Sequence, residues 1–241
     1  MRKLLLLLAL FGLFPTLSKA TISLVQNPTM SQCGFVTSCA ITVTSTGSGN
    51  FGFFSVATNS GSQNISSISG GGTWTIPGGT TCRRTNGAGS EDCAYITSLT
   101  GGVTSITVTM SAKVTHLMIQ FLEYSSAGLS FDAGASTASS GANPSVTTIT
   151  GITGTNDLVI QSLTNGNNAT ITGPGGNWTN PNDSASDGSQ VLGVIGYINC
   201  TSSCGTAPSW TMTSQTYMSS GMAFSESAGS TTYPGWEGSW F

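Results

Sequence analysis

Charge is what this chain has least of. Asp, Glu, Lys and Arg make up 6% of its 241 residues, against about 25% in an ordinary globular protein. So little charge leaves backbone hydrogen bonds and small apolar contacts, not salt bridges, to hold the molecule together. Histidine occurs once, as His116, with no cysteine near it in sequence. No G-x-S-x-G turn occurs either, and His116 opens the apolar run HLMIQFLEY. There it reads as a strand-edge residue and not as the base of a Ser-His-Asp hydrolase. No apolar run reaches the roughly 20 residues a membrane-spanning helix needs. The longest, Leu4 to Phe14, has 11.

That run sits inside MRKLLLLLALFGLFPTLSKA, with Arg2 and Lys3 before it and Ser18 and Ala20 at the small-residue positions of a cleavage site. The pattern is that of an export signal over residues 1–20, so the mature chain is expected to begin near Thr21 and to be extracellular, with no membrane span. Three cations, Arg83, Arg84 and Lys113, then face nine carboxylates, a net charge of −6. Phosphate backbones and anionic lipid surfaces repel such a chain, and nucleic acid is not an expected partner.

Six cysteines fall into three close pairs: Cys33 with Cys39, Cys82 with Cys93, and Cys200 with Cys204. In an exported chain an even count at short spacing reads as disulfides, and of the fifteen possible pairings the local one is expected. Zinc is the rival reading, but the spacings are irregular and His116 is distant.

The chain compares with itself. GGTWT at Gly71 to Thr75 returns as GGNWT at Gly175 to Thr179; AITVTSTGSGN at Ala40 faces VTTITGITGTN at Val146; CAYI at Cys93 faces IGYI at Ile195; FLEYSSAG at Phe121 faces MAFSESAG at Met222. The order is preserved, which implies a unit of about a hundred residues written twice, in halves 21–127 and 128–229, with a tail at 230–241. Each unit reads as strands rich in Val, Ile, Thr, Phe and Tyr between Gly, Asn and Ser clusters. In VTSITVTM, Ile106, Val108 and Met110 point one way and Ser105, Thr107 and Thr109 the other. No helical periodicity follows the signal. The expected fold is all-β: one two-sheet antiparallel sandwich, jelly-roll-like, built from two repeated halves. Two tandem immunoglobulin-like domains are the alternative, although no linker separates the copies near Gly128. Trp74 and Trp178 then occupy matching places and read as packing anchors.

The order of NFGFFSVATNSG, GGTWT, CAYITSLTGGVTSITVTMS, IQFLEYSSAG and NDLVIQSL, spanning about Ala40 to Ala228, resembles a group of Gly-, Ser- and Thr-rich β-sandwich, jelly-roll-like domains of secreted bacterial proteins. No activity is attached to that group, so the resemblance implies fold and export and lends no catalytic residue.

Sites are few. Glu123 shares a face with Leu117, Ile119 and Phe121, and a carboxylate on an apolar face is either hydrogen-bonded or functional. The expectation is a carboxylate tying down a turn, with a carbohydrate-active enzyme as the alternative. GAGSEDC, with Glu91 and Asp92, and NPNDSASDGSQ, with Asp183 and Asp187, are acidic stretches of the kind hard cations prefer. Calcium at Asp183 and Asp187 is the one cofactor candidate, although no terminal Glu completes a loop. The tail TTYPGWEGSWF carries Tyr233, Trp236, Trp240 and Phe241, aromatic platforms suited to stacking on sugar rings, to a neighbouring subunit, or to covering a sheet edge. The expected function is non-catalytic binding of extracellular material, glycan or adhesive partner, with self-association into a structural assembly as the alternative.

Overall fold

The computed structural model describes residues 21–87, 89–125, 128–144, 148–154, 156–166, 169–181, 185–186, 191–200 and 207–226. Strands β1 (Ser23–Gln26), β2 (Ser31–Thr42), β3 (Phe51–Thr58), β4 (Ile65–Ser69), β5 (Arg84–Thr85), β6 (Ser90–Ile96) and β7 (Ser105–Ser125) form one antiparallel seven-stranded sheet. Its spine is β7, which pairs with β1, β2, β3 and β4, while β6 and β5 extend the sheet beyond β3. Strands β8 (Leu129–Gly141), β9 (Asp157–Asn165), β11 (Ala185–Ser186), β12 (Leu192–Cys200) and β14 (Gln215–Glu226) form a five-stranded sheet in the order β11-β12-β9-β14-β8. A small ribbon pairs β10 (Ile171–Thr172) with β13 (Thr211–Met212). Among the described residues the one helix, α1 (Gly79–Cys82), is a single turn. The all-β antiparallel expectation holds.

Alternation explains the edges of the fold but not its centre. Ile106, Val108 and Met110 of β7 are buried as expected. In β3 and β9, by contrast, every residue is buried, the pattern of a strand covered on both faces. Phe54 and Val56 of β3 pack with Ile41, Ile65, Ile106, Val108 and Phe121 inside the first half. Phe51 and Phe53, pointing the other way, pack with Leu122, Tyr124, Leu158, Ile160, Met222 and Phe224. This second cluster joins the two large sheets. Within the sandwich, β2, β4 and the front of β7 pack on the face of β3 turned away from the second sheet. The shared cluster is also unlike two tandem domains hung on a linker.

One correction concerns His116, read as a strand-edge residue: β7 runs unbroken for 21 residues and encloses it. No Gly, Pro or Asn lies between Met110 and His116, so nothing ends the ladder. β2 follows it from Ser105 to Ile119, with one bulge between Val36 and Ser38. His116 thus lies within the strand, opposite Gly34.

The two Gly-Gly-Trp stretches are structural. Gly70, Gly71 and Gly72 have φ of 92°, 82° and 126°, open without strain only to glycine. They turn the chain so that Trp74 Nε1 donates to the Gly70 carbonyl at 2.8 Å and its ring packs on Phe54 and Phe121. Trp178 is buried with Ile149, Val159 and Ala223. Each stretch ends in the same bridge: Thr75 and Tyr95 exchange backbone hydrogen bonds of 2.8 and 3.0 Å, and Thr179 and Tyr197 exchange bonds of 2.8 and 2.9 Å. Cys33–Cys39 and Cys82–Cys93 are disulfides, as their spacing predicts. Cys200 is also disulfide-bonded; Cys204 lies outside the described residues.

Candidate functional site

Three of the carboxylates singled out in the sequence, Glu123, Glu91 and Asp92, are consumed by the fold. Glu123 is 0% exposed. Its Oε1 accepts from Gly47 N at 2.8 Å and Asn50 Nδ2 at 2.6 Å, and its Oε2 from Gln26 Nε2. It pins β1 and the turn before β3 together, the structural role expected of it, and offers no open oxygen to a substrate.

Glu91 and Asp92 do not form an acidic loop. Both lie in β6, where alternation sends them to opposite faces, so they cannot converge on one ion. Asp92 turns toward β4 and accepts from Ile65 N at 3.0 Å and from Arg83 Nε and Nη2 at 3.1 and 3.0 Å. Burial raises its pKa against the pull of those partners. Glu91 turns toward the other sheet and takes Ser162 Oγ and, at 2.5 Å, Ser220 Oγ on its Oε1. Burial, only partly offset by these hydroxyls, pushes its carboxyl up to about 7. A shifted carboxylate is a common mark of an active site, but Glu91 is 0% exposed and works as an internal tie.

Among the described residues an accessible hollow lies at the seam of the two sheets. Its volume is about 310 Å³, and Gly79, Thr80, Arg83, Arg84 and Thr85 line it. The Cys82–Cys93 bridge, with Cα atoms 5.7 Å apart, holds α1 against β6. Contacts from the second half fix the other wall. Arg84 Nε and Nη2 donate to the Ser136 carbonyl at 2.8 and 2.7 Å, Ser136 Oγ donates to the Thr80 carbonyl at 2.7 Å, and Asn86 Nδ2 donates to the Tyr217 carbonyl at 3.3 Å. Two of the three cations beyond residue 20, Arg83 and Arg84, therefore meet here.

An aromatic step adjoins the hollow. Phe131 of β8 is 40% exposed and stacks on the half-buried Tyr95 of β6, with ring centroids 6.0 Å apart and planes within 13°. Tyr95 is backed in turn by Phe51 and Phe224, so the exposed ring rests on a rigid aromatic stack. Gly134 lets α1 approach it. A Cβ at Gly134 would meet Thr81 Cγ2 at 2.7 Å and Phe131 Cε2 at 3.3 Å, so the glycine brings the ring beside the helical turn that rims the hollow.

The residues around the hollow offer an aromatic face, hydroxyls and guanidinium N–H groups, and its lining holds no carboxylate or imidazole. Such groups offer a stacking face and hydrogen-bond donors and acceptors, the kind of contacts a polyhydroxylated molecule makes. None of these residues stood out in the sequence, since Arg84 meets Ser136 only across 52 positions of chain. The single legible trace was the isolation of Arg83 and Arg84 in a chain with three mature cations.

The aromatic tail residues Tyr233, Trp236, Trp240 and Phe241 and the calcium candidates Asp183 and Asp187 lie outside the described residues. Among the described residues no three His, Cys, Asp or Glu side chains converge as a metal group, and no helix is long and apolar enough to cross a membrane. No protein-family model, curated protein or solved structure matches this chain.

Proposed function

We propose that this chain is an exported, non-catalytic β-sandwich protein that binds extracellular glycan. The observation that carries the reading is the exposed Phe131 ring, stacked on Tyr95 beside a hollow of hydroxyl and guanidinium groups. A sugar presents C–H faces to a ring and hydroxyls to such donors and acceptors, and a ring already braced by its neighbours loses little freedom on binding. Export is supported by the leading residues 1–20 and by two described disulfides, which persist in oxidising compartments. The resemblance to Gly-, Ser- and Thr-rich bacterial domains, and the origin of the two halves by duplication, belong to the same reading; the matched Thr75–Tyr95 and Thr179–Tyr197 bridges support the latter.

A glycan array followed by calorimetry on the mature chain tests it. Phe131→Ala is expected to weaken the best ligand roughly tenfold or more, since stacking and burial of one ring are worth about 1–3 kcal/mol. Binding that survives Phe131→Ala unchanged moves the ligand elsewhere.

Self-association is the second reading, and Phe35 favours it. This residue holds φ at 56°, a conformation unusual for a side chain of its size, and is 68% exposed. The Cys33–Cys39 disulfide encloses it, and Lys113 Nζ sits 5.7 Å from its ring centre. Light scattering across a concentration series, with Phe35→Ser and a chain lacking 231–241 alongside, separates the two readings: assembly lost in either variant supports self-association, and a monomer at every concentration removes it.

A further inference from the structure

We propose that the seam hollow is an anion subsite and that its ligand is an acidic sugar, a uronate or sulfated unit, with Arg84 reading the charge. This rests on the glycan reading above and sharpens it.

The three cations beyond residue 20 are used in different ways. Arg83 is neutralised by Asp92, and Lys113 lies over the Phe35 ring. Glu91, opposite Arg84 in the β5–β6 ladder, spends its carboxyl on Ser162 and Ser220, and Arg84 makes no ion pair among the described residues. Its Nε and Nη2 are both spent on one uncharged acceptor, the Ser136 carbonyl. A half-buried guanidinium costs desolvation, and a carbonyl recovers only part of that in the absence of a counter-ion. The fork is nevertheless held rigidly, with Nη1 uncommitted, on the wall of an open hollow. A planar guanidinium fixed in this way recognises carboxylate and sulfate oxygens. The walls are walls of one site: Thr80 and Thr85 supply hydroxyls, and the Phe131–Tyr95 step lies one residue away from Thr80, at Thr81.

Position separates this from a casual surface charge. Residues 21–241 carry a net −6, so the exported chain repels polyanions at long range, and only a short-range pairing inside the hollow opposes that repulsion. Nucleic acid, with its dense phosphate charge, is disfavoured by the same field, whereas an oligosaccharide with isolated acidic units is not.

The experiment uses the mature chain with four probes: an oligosaccharide containing glucuronate, its neutral glucose counterpart, a sulfated counterpart and inorganic sulfate. Each is titrated by calorimetry at low and high salt against the wild type, Arg84→Gln and Thr85→Glu. Thr85 is exposed, so Thr85→Glu leaves the Arg84–Ser136 bond in place and keeps the test valid if Arg84→Gln fails to fold. The expected result is that acidic sugars bind at least tenfold tighter than the neutral one, that salt narrows the gap, and that both variants abolish the preference. Equal binding of acidic and neutral sugars, unaffected by either variant, overturns the anion subsite and leaves the glycan reading intact. Sulfate held in an Arg84-dependent way with no sugar bound keeps the subsite and overturns the glycan reading. Binding of none of the four overturns both.

Discussion

Ser162 and Ser220, on the paired strands β9 and β14, stand with their hydroxyl oxygens 2.9 Å apart and both donate to one oxygen of Glu91, a residue of the other sheet. This is a polar tie inside the apolar seam, and it makes stability depend on pH. Burial raises the Glu91 carboxyl from an ordinary 4.5 to about 7, so folding favours the protonated form. The sign follows: the stabilisation is fully present below about pH 4.5 and is lost as pH rises through about 7. The shift corresponds to about 3 kcal/mol. Urea unfolding of the wild type and Glu91→Gln at a series of pH values isolates it. From pH 4 to pH 8.5 the variant should gain about 3 kcal/mol relative to the wild type, because its amide cannot ionise. Parallel curves would mean that Glu91 titrates normally.

Phe224 sits where the two sheets meet, its ring 4.6 Å from that of Phe51 and edge-on to Tyr95 and Phe131. Phe224→Ala should cost about 3–5 kcal/mol, the range for an aromatic removed from a filled core. Because the cluster belongs to both halves, they should unfold together in the wild type. Separate transitions in the variant, read by calorimetry, would mark the seam as the source of that cooperativity.

The Cys82–Cys93 bridge closes a short loop carrying part of the hollow. Replacing both with Ala should lower stability by about 2–4 kcal/mol and weaken ligand binding more than the Cys33→Ala, Cys39→Ala pair does, since only the former holds α1 in place. Equal effects of the two pairs on binding would detach the hollow from the bridge.

Glu123→Gln should destabilise by about 1–3 kcal/mol, because a carboxylate that accepts from Gly47, Asn50 and Gln26 is replaced by a group that must turn one N–H₂ toward those donors. Thermal melting reads the cost. An unchanged melting temperature would contradict the tie.

Legibility in the sequence followed range. The period-two face of Ile106, Val108 and Met110, the disulfides at Cys33–Cys39 and Cys82–Cys93 and the Gly-Gly-Trp turns are local, and each was readable from spacing alone. Glu123 was readable because a carboxylate among Leu117, Ile119 and Phe121 must find donors. The acidic stretch at Glu91 and Asp92 misled because hydrophilic residues beside glycine resemble a loop, whereas here their partners are Ser162 and Ser220 on other strands and Arg83 at the end of α1. β3 gave no alternation to read, since Phe53 and Phe54 face different cores. The hollow was invisible for the same reason: Arg84 and Ser136, and Tyr95 and Phe131, come together only through the packing of one sheet on the other.

The central claim is that ligand sits on the Phe131–Tyr95 step and in the adjoining hollow. Its most direct test is to follow the amide and side-chain NMR signals of the labelled mature chain during titration with the strongest glycan from the array. The account predicts saturable shifts confined to Thr80, Thr81, Arg84, Thr85, Tyr95 and Phe131, with the Arg84 Nε–H signal among them. Saturable shifts that leave these residues untouched, and fall on the Phe35 bulge or the 231–241 tail instead, would contradict it.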